Sequence, residues 1–163
     1  MEESTERSPF EAFWEHLLDD VEEIKAEYRE AGWDVHSLVP GEVTALYDTE
    51  KYGSEKSFGL SVLLQDRQFE TIESLVDRVS FDSSEVYSRT SGSIVFLLLV
   101  ERSTEAETAV LIPAYYNHVT DEGLLEEAKE AGEMRVHVRS LSSDGRILFH
   151  HDDPSLFAPD VEE

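Results

Sequence analysis

A chain of 163 residues carrying 37 acids against 13 Lys plus Arg, a formal net charge of −24, has the length of one ordinary domain and a very acidic charge balance. That balance argues against binding to a nucleic-acid backbone, which needs a basic face. With no cysteine, disulfides, thiolate metal sites and cysteine nucleophiles are excluded. An apolar content of 40% suits a globular fold.

The acids are spread over every predicted helix and loop, with no block of five like charges, and only Lys25, Lys51, Lys56 and Lys129 are lysine. Dispersed acidity of this kind fits a protein kept hydrated in a very salty cytoplasm, where self-repulsion is screened within roughly 3 Å at 1 M salt. The opening segment MEESTERS has no apolar stretch, so no signal peptide is expected. The longest apolar run, Ile94 to Val100, falls far short of the ~20 residues of a membrane helix. A cytoplasmic protein without a membrane partner is expected.

Residues 1–7 are polar and expected to be disordered. Ser8-Pro9-Phe10-Glu11 is a helix start, with Ser8 as cap, Pro9 at the first helical position and Glu11 closing a capping box. Phe10, Phe13, Trp14, Leu17, Leu18, Val21, Ile24 and Tyr28 recur at three and four, an apolar stripe that Gly32 ends. Trp33–Val39 and Glu42–Asp48 read as strands about the turn Pro40-Gly41, followed by a polar loop to Ser57 and a strand at Phe58–Leu64. Asp66 is the expected cap of a second helix with Phe69, Ile72, Leu75, Val76 and Val79 inward.

Glu85–Thr90 alternates, and Ser91-Gly92 turns into Ile94–Val100, which has no alternation and therefore reads as a mid-sheet strand buried on both faces. Thr108–Tyr116 returns after a loop, and Pro113 places its far end at an edge or bulge. Thr120 or Asp121 caps a third helix with Leu124, Leu125, Ala128 and Ala131 inward, ended by Gly132. Met134–Leu141 and Arg146–His151 read as a hairpin about Asp144-Gly145, a type I′ pair. The expected architecture is a single α+β domain over residues 8–151. It has a mostly antiparallel sheet and about three covering helices, with a tail at 152–163 partly docked through Leu156 and Phe157.

YREAGW at 28–33, Pro40-Gly41, FLLLVER at 96–102, VLIPAYY at 110–116, VHVRSL at 136–141 and FHHDDPSLF at 149–157 resemble an uncharacterised family from halophilic archaea. The resemblance agrees with the charge reading and implies no activity and no catalytic residue.

Two patches can carry chemistry. With a two-residue turn at Asp144-Gly145, Arg139 faces His150, and Arg135, His137, Arg139, Leu141, Leu148 and His150 share one face. This local concentration of positive charge can hold a phosphate, a carboxylate or an acidic partner segment, or it can pair internally with acids. Tyr116, Asn117 and His118 end a strand just before a helix, where polar ligands often sit, although tyrosine packing and an asparagine turn explain them as well. His150-His151-Asp152-Asp153 invites a metal, but adjacent strand residues point apart and the arginines oppose a cation, so neither a metal nor a cofactor is expected.

No GxGxxG, Walker A, HExxH or GxSxG motif occurs, and the lone Glu-x-Lys, Glu23-Ile24-Lys25, lies on the first helix. The leading expectation is a small haloadapted binding or interaction module, homodimeric through a sheet edge. The competing one is a binder of a small anionic ligand, or an enzyme, with its pocket between Tyr116–His118 and the arginine face.

Overall fold

The computed structural model describes residues 8–47 and 58–159; the expectations for residues 1–7, the loop at 48–57 and the end of the tail lie outside the described residues. Ser8 caps α1 (Pro9–Glu30) as the sequence predicts, with the Glu11 N–H donating to Ser8 Oγ at 3.1 Å. Gly32, at φ +90°, turns the chain out of the helix into β1 (Asp34–Ser37), and β2 (Glu42–Leu46) follows Pro40-Gly41. Then come β3 (Gly59–Leu64), α2 (Asp66–Arg78), β4 (Ser83–Ser91), β5 (Ile94–Ser103), β6 (Thr108–Asn117), α3 (Glu122–Ala131), β7 (Met134–Ser140), β8 (Ile147–His151) and a 3-10 turn at Pro154–Phe157.

The α+β class is as expected, but the single mostly antiparallel sheet is not. The strands form two four-stranded mixed sheets, ordered β1-β6-β5-β4 and β2-β3-β7-β8. Each contains one parallel pairing, β1 with β6 and β3 with β7. Both parallel pairs join segments far apart in the chain, where no turn signal reports which strands meet. For the same reason β1 and β2, adjacent across Pro40-Gly41, part company into different sheets.

β5 lies between β4 and β6, and Val95 through Val100 are buried, as an unalternating run requires. Pro113 pairs with Leu98 of β5, beyond Leu111 where β1 stops pairing with β6. Its missing N–H therefore falls where the ladder on the other side has ended.

Three local expectations are corrected. The cap of α2 is Gln65, with no side-chain cap bond; Asp66 is the first helical residue, and its Oδ2 accepts from Ser142 Oγ at 2.5 Å. Ala131 is exposed rather than inward. In the last hairpin Met134 pairs with His151 and Arg135 with His150, not Arg139 with His150. Gly145 has no positive φ, so a type I′ turn does not form at Asp144-Gly145. The loop from Leu141 to Arg146 is instead held by Ser143 Oγ, which accepts from the Gly145 N–H at 3.0 Å. The slip is by an even number of residues, so the side chains keep their faces.

Two cores result. The inward faces of both sheets meet with α2, α3 and the turn in the larger one, which contains Leu60, Val62, Phe69, Ile72, Leu97, Leu99, Ile112, Leu124, Val136 and Phe157. α1 covers the other face of the first sheet, where Val21, Val35, Leu98, Val100 and Leu111 pack together. Phe10 and Phe13 extend that contact onto Phe96, at ring-centroid distances of 5.3 and 5.5 Å. The outward face of the second sheet carries Thr44, Ser61, Arg135, His137, Arg139, Leu148 and His150.

Candidate functional site

The structure separates the two patches read from the sequence. Tyr116 is buried on the inward face of β6; its hydroxyl donates to the Phe157 carbonyl at 2.5 Å, and burial pushes its pKa up to about 12. Asn117 shapes the chain reversal after β6: its Oδ1 accepts from the Val119 and Thr120 N–H groups at 2.9 and 3.0 Å. His118 Nε2 donates to the Gly92 carbonyl at 2.9 Å. Tyr116 and His118 border a small hollow of about 190 Å³ with Glu122, Glu126 and Lys129, and none of the arginine-face residues reaches it.

On the outward face of the second sheet, Glu133 gathers two of the basic groups. Its Oε2 accepts from Arg135 Nε at 3.0 Å and its Oε1 bonds His150 Nδ1 at 2.7 Å. The His150 hydrogen bond, reinforced by Arg135, holds the Glu133 carboxyl below the usual carboxylate range. The Arg135 guanidinium also lies over the Phe58 ring, 4.6 Å from its centroid.

His137 is buried between the arginines, with Nε2 donating to the Phe58 carbonyl at 2.9 Å. Burial lowers its pKa, and Arg146, Arg135 and His150 add to that against the pull of the Phe58 bond. Arg139 donates through Nε to Ser61 Oγ at 2.7 Å and makes no ion pair among the described residues. This face thus combines an internally neutralised half with one arginine that has no acidic partner among the described residues.

A third constellation is new. Glu101 and His151 are both buried, at 3% and 1% exposure, and His151 Nε2 bonds Glu101 Oε2 at 2.5 Å. Glu101 lies on β5 and His151 ends β8, so the pair bridges the two sheets at one end of the core. A carboxylate only accepts, so Nε2 carries the proton. His151 Nδ1 is buried without a hydrogen-bond partner, and the ring edge packs on Phe157 with centroids 5.3 Å apart. In the neutral imidazole that nitrogen is a lone-pair acceptor fixed in orientation by the carboxylate, the arrangement in which a histidine binds a donor or takes a proton.

This pair lines an open cleft of about 920 Å³ between the C-terminal half of α2, the start of β4, and β8 with the segment after it. Val76, Phe81, Phe149 and Leu156 give it apolar walls; Glu73, Asp77, Asp82, Asp152 and Asp153 give it acidic ones. Two of those acids are engaged locally. Thr104 donates to Asp82 through its hydroxyl at 2.8 Å and holds that carboxyl below its ordinary value, and Asp153 accepts from Ser155. Glu73, Asp77 and Asp152 make no hydrogen bond or ion pair among the described residues. Arg146 and His150 are the basic groups at the rim. Among the described residues no group of three or more His, Asp or Glu is placed to hold a metal ion.

Strand parity could have found the pair. Glu101 is in phase with Val95, Leu97 and Leu99, and His151 with Ile147 and Phe149. Each is a polar residue on an otherwise apolar face.

The fold and cleft define a small α+β domain, and no described helix is long and apolar enough to cross a membrane. Over residues 1–159 the chain matches the model of a family of unknown function, DUF7529, and it belongs to that family. No curated protein and no solved structure matches it.

Proposed function

We propose that this protein is a haloadapted cytoplasmic binding module whose ligand is a small amphipathic amine held in the cleft beside the Glu101–His151 pair. The observation that carries this reading is the buried Glu101–His151 pair lining a cleft of about 920 Å³ beside the unengaged carboxylates of Glu73, Asp77 and Asp152. A well-formed cleft with apolar walls and a few convergent polar groups is the usual form of a ligand site. The unengaged carboxylates of Glu73, Asp77 and Asp152 favour a cation, and Phe81 and Phe149 cover a hydrocarbon portion.

A thermal-shift series with mono-, di- and polyamines in concentrated salt tests it. At a hundredfold excess over Kd, binding stabilises by about 2.7 kcal/mol, which is roughly 5–11 °C for a domain of this size. Asp77→Asn combined with Glu73→Gln removes that shift. The absence of a shift with every amine refutes the reading.

Arg139 supports a second reading, the anionic ligand on the outward face of the second sheet, because its guanidinium has no acidic partner among the described residues. Phosphate and carboxylate probes in the same series separate the two: an anion shift abolished by Arg139→Gln, with amines silent, moves the site to that face.

A further inference from the structure

Among the described residues β4 is an outer strand of the first sheet, hydrogen-bonded to β5 on one side only. Protein edges are ordinarily blunted by lysine, proline or a bulge. β4 has neither residue, and its register against β5 runs unbroken from Ser83 to Ser91. Glu85, Tyr87 and Arg89 lie on the α1 side of the strand, opposite Val100, Leu98 and Phe96 of β5. α1 stops short of them, leaving an open groove of about 490 Å³ bordered by Phe13, Leu17, Ile24 and Tyr87. Tyr87 is 49% exposed, and Arg89 is exposed and makes no ion pair among the described residues.

The charge pattern selects the occupant of this edge. An antiparallel copy of β4 related by a two-fold axis through Tyr87 pairs each residue with the one equally distant on the other side. Ser83 then faces Ser91, Tyr87 faces Tyr87, and Glu85 faces Arg89 twice over. Opposite charges directly across an antiparallel pair are stabilising, and like charges there are not. Glu85 already accepts from Arg102 at 3.0 Å and from the Tyr87 hydroxyl at 2.9 Å, and a carboxylate with about four lone-pair sites has room for one more donor.

We infer that β4 is the seam of a homodimer, joining two first sheets into one continuous sheet, with the Tyr87 side chains meeting on the axis and closing the mouths of both grooves. The inference does not rest on the ligand proposal: its charge pattern at Glu85, Tyr87 and Arg89 lies on the α1 side of β4, and the cleft takes in only the start of the strand.

Sedimentation of the whole chain over a range of concentrations tests it, in about 1 M KCl, where screening within roughly 3 Å blunts the repulsion of two acidic copies. The wild type is expected to sediment as a dimer. Arg89→Glu sets carboxylate against carboxylate at both symmetric positions and weakens the dimer at least about tenfold; because Arg89 makes no ion pair among the described residues, the dissociated variant keeps the wild type's circular-dichroism spectrum. Glu85→Arg combined with Arg89→Glu restores opposite charges and the dimer.

The chain has no native thiol. Tyr87→Cys on the axis therefore crosslinks two copies under mild oxidation, whereas Ser83→Cys, facing Ser91, does not. A wild type that stays monomeric at every concentration overturns the inference, as does a dimer indifferent to Arg89→Glu. A folded but monomeric charge-swap variant, or equal crosslinking at positions 83 and 87, overturns the register.

Discussion

Replacing Glu101 by alanine removes the one carboxylate–imidazole hydrogen bond that is buried on both sides among the described residues. Both side chains are nearly inaccessible, and His151 Nδ1 already lacks a partner, so the variant leaves an imidazole with neither nitrogen satisfied inside the core. Losing a hydrogen bond to a charged group and leaving its buried donor unsatisfied together cost about 3–5 kcal/mol. In a domain of this length each kcal/mol moves Tm by roughly 2–4 °C, which places the variant about 6–20 °C below the wild type. Glu101→Gln keeps an acceptor for Nε2–H and should lose only part of this. Glu101→Leu with His151→Leu removes both polar groups at similar volume and should lie between neutral and about 4 kcal/mol more stable than the wild type, because a buried pair repays little more than its own desolvation. Urea unfolding of the four proteins in concentrated salt gives the comparison. An alanine variant within about 1 kcal/mol of the wild type refutes the reasoning. The double-leucine protein also separates architecture from binding, since it should be folded and unable to respond to amines.

Gly59, at φ +135°, brings β3 so close to β7 that a β-carbon there would stand 2.2 Å from the Arg135 carbonyl oxygen. Gly59→Ala should therefore cost upwards of about 2 kcal/mol in urea unfolding, from backbone strain and a forced separation of the parallel pair. His137 has its pKa lowered in the folded state, so the unfolded chain binds the proton first. Stability attributable to it is present above pH about 6.5 and is lost as pH falls through that value, and His137→Gln should flatten that part of a Tm-versus-pH curve. Lowering salt from about 1 M to about 0.01 M extends the screening length from roughly 3 to 30 Å. At a net charge of −24 this should lower Tm and loosen the fold by circular dichroism, and an unchanged melt contradicts the haloadapted reading.

Elements whose signal is local were legible in the sequence. The Ser8-Pro9 start of α1 is local chemistry, and Ile94–Val100 declares a two-sided burial by having no polar phase. Pro113 falls just past the end of the β1 ladder on β6, where its missing N–H leaves no partner unbonded. Strand partnership is a different kind of information. Nothing around Asp34–Ser37 announces that its neighbour is Thr108–Leu111, and nothing around Leu60–Leu64 announces Val136–Ser140. These parallel pairs are chosen by the burial of whole faces against one another, and the two-sheet division follows from that burial rather than from any turn.

The hairpin at 134–151 shows how a site can survive a wrong register. Asp144-Gly145 has the composition of a two-residue turn, yet a β-carbon on Gly145 would sit 3.1 Å from Glu73 Oε2 and 3.7 Å from the Phe69 ring, so α2 governs that loop. Four positions of slip preserve parity, and Arg135, His137, Arg139 and His150 still share a face. Partner choice did not survive, because Glu133, which pairs with Arg135 and His150, lies just before β7 and outside the strand positions that parity sorts. The same parity argument, applied to polar residues as strictly as to apolar ones, puts Glu101 and His151 on inward faces. A carboxylate and an imidazole both forced into an apolar interior must find each other or leave their desolvation uncompensated. The contact between them is therefore the polar feature of this fold that the sequence required most strongly, and it lines the cleft where a ligand should be sought first.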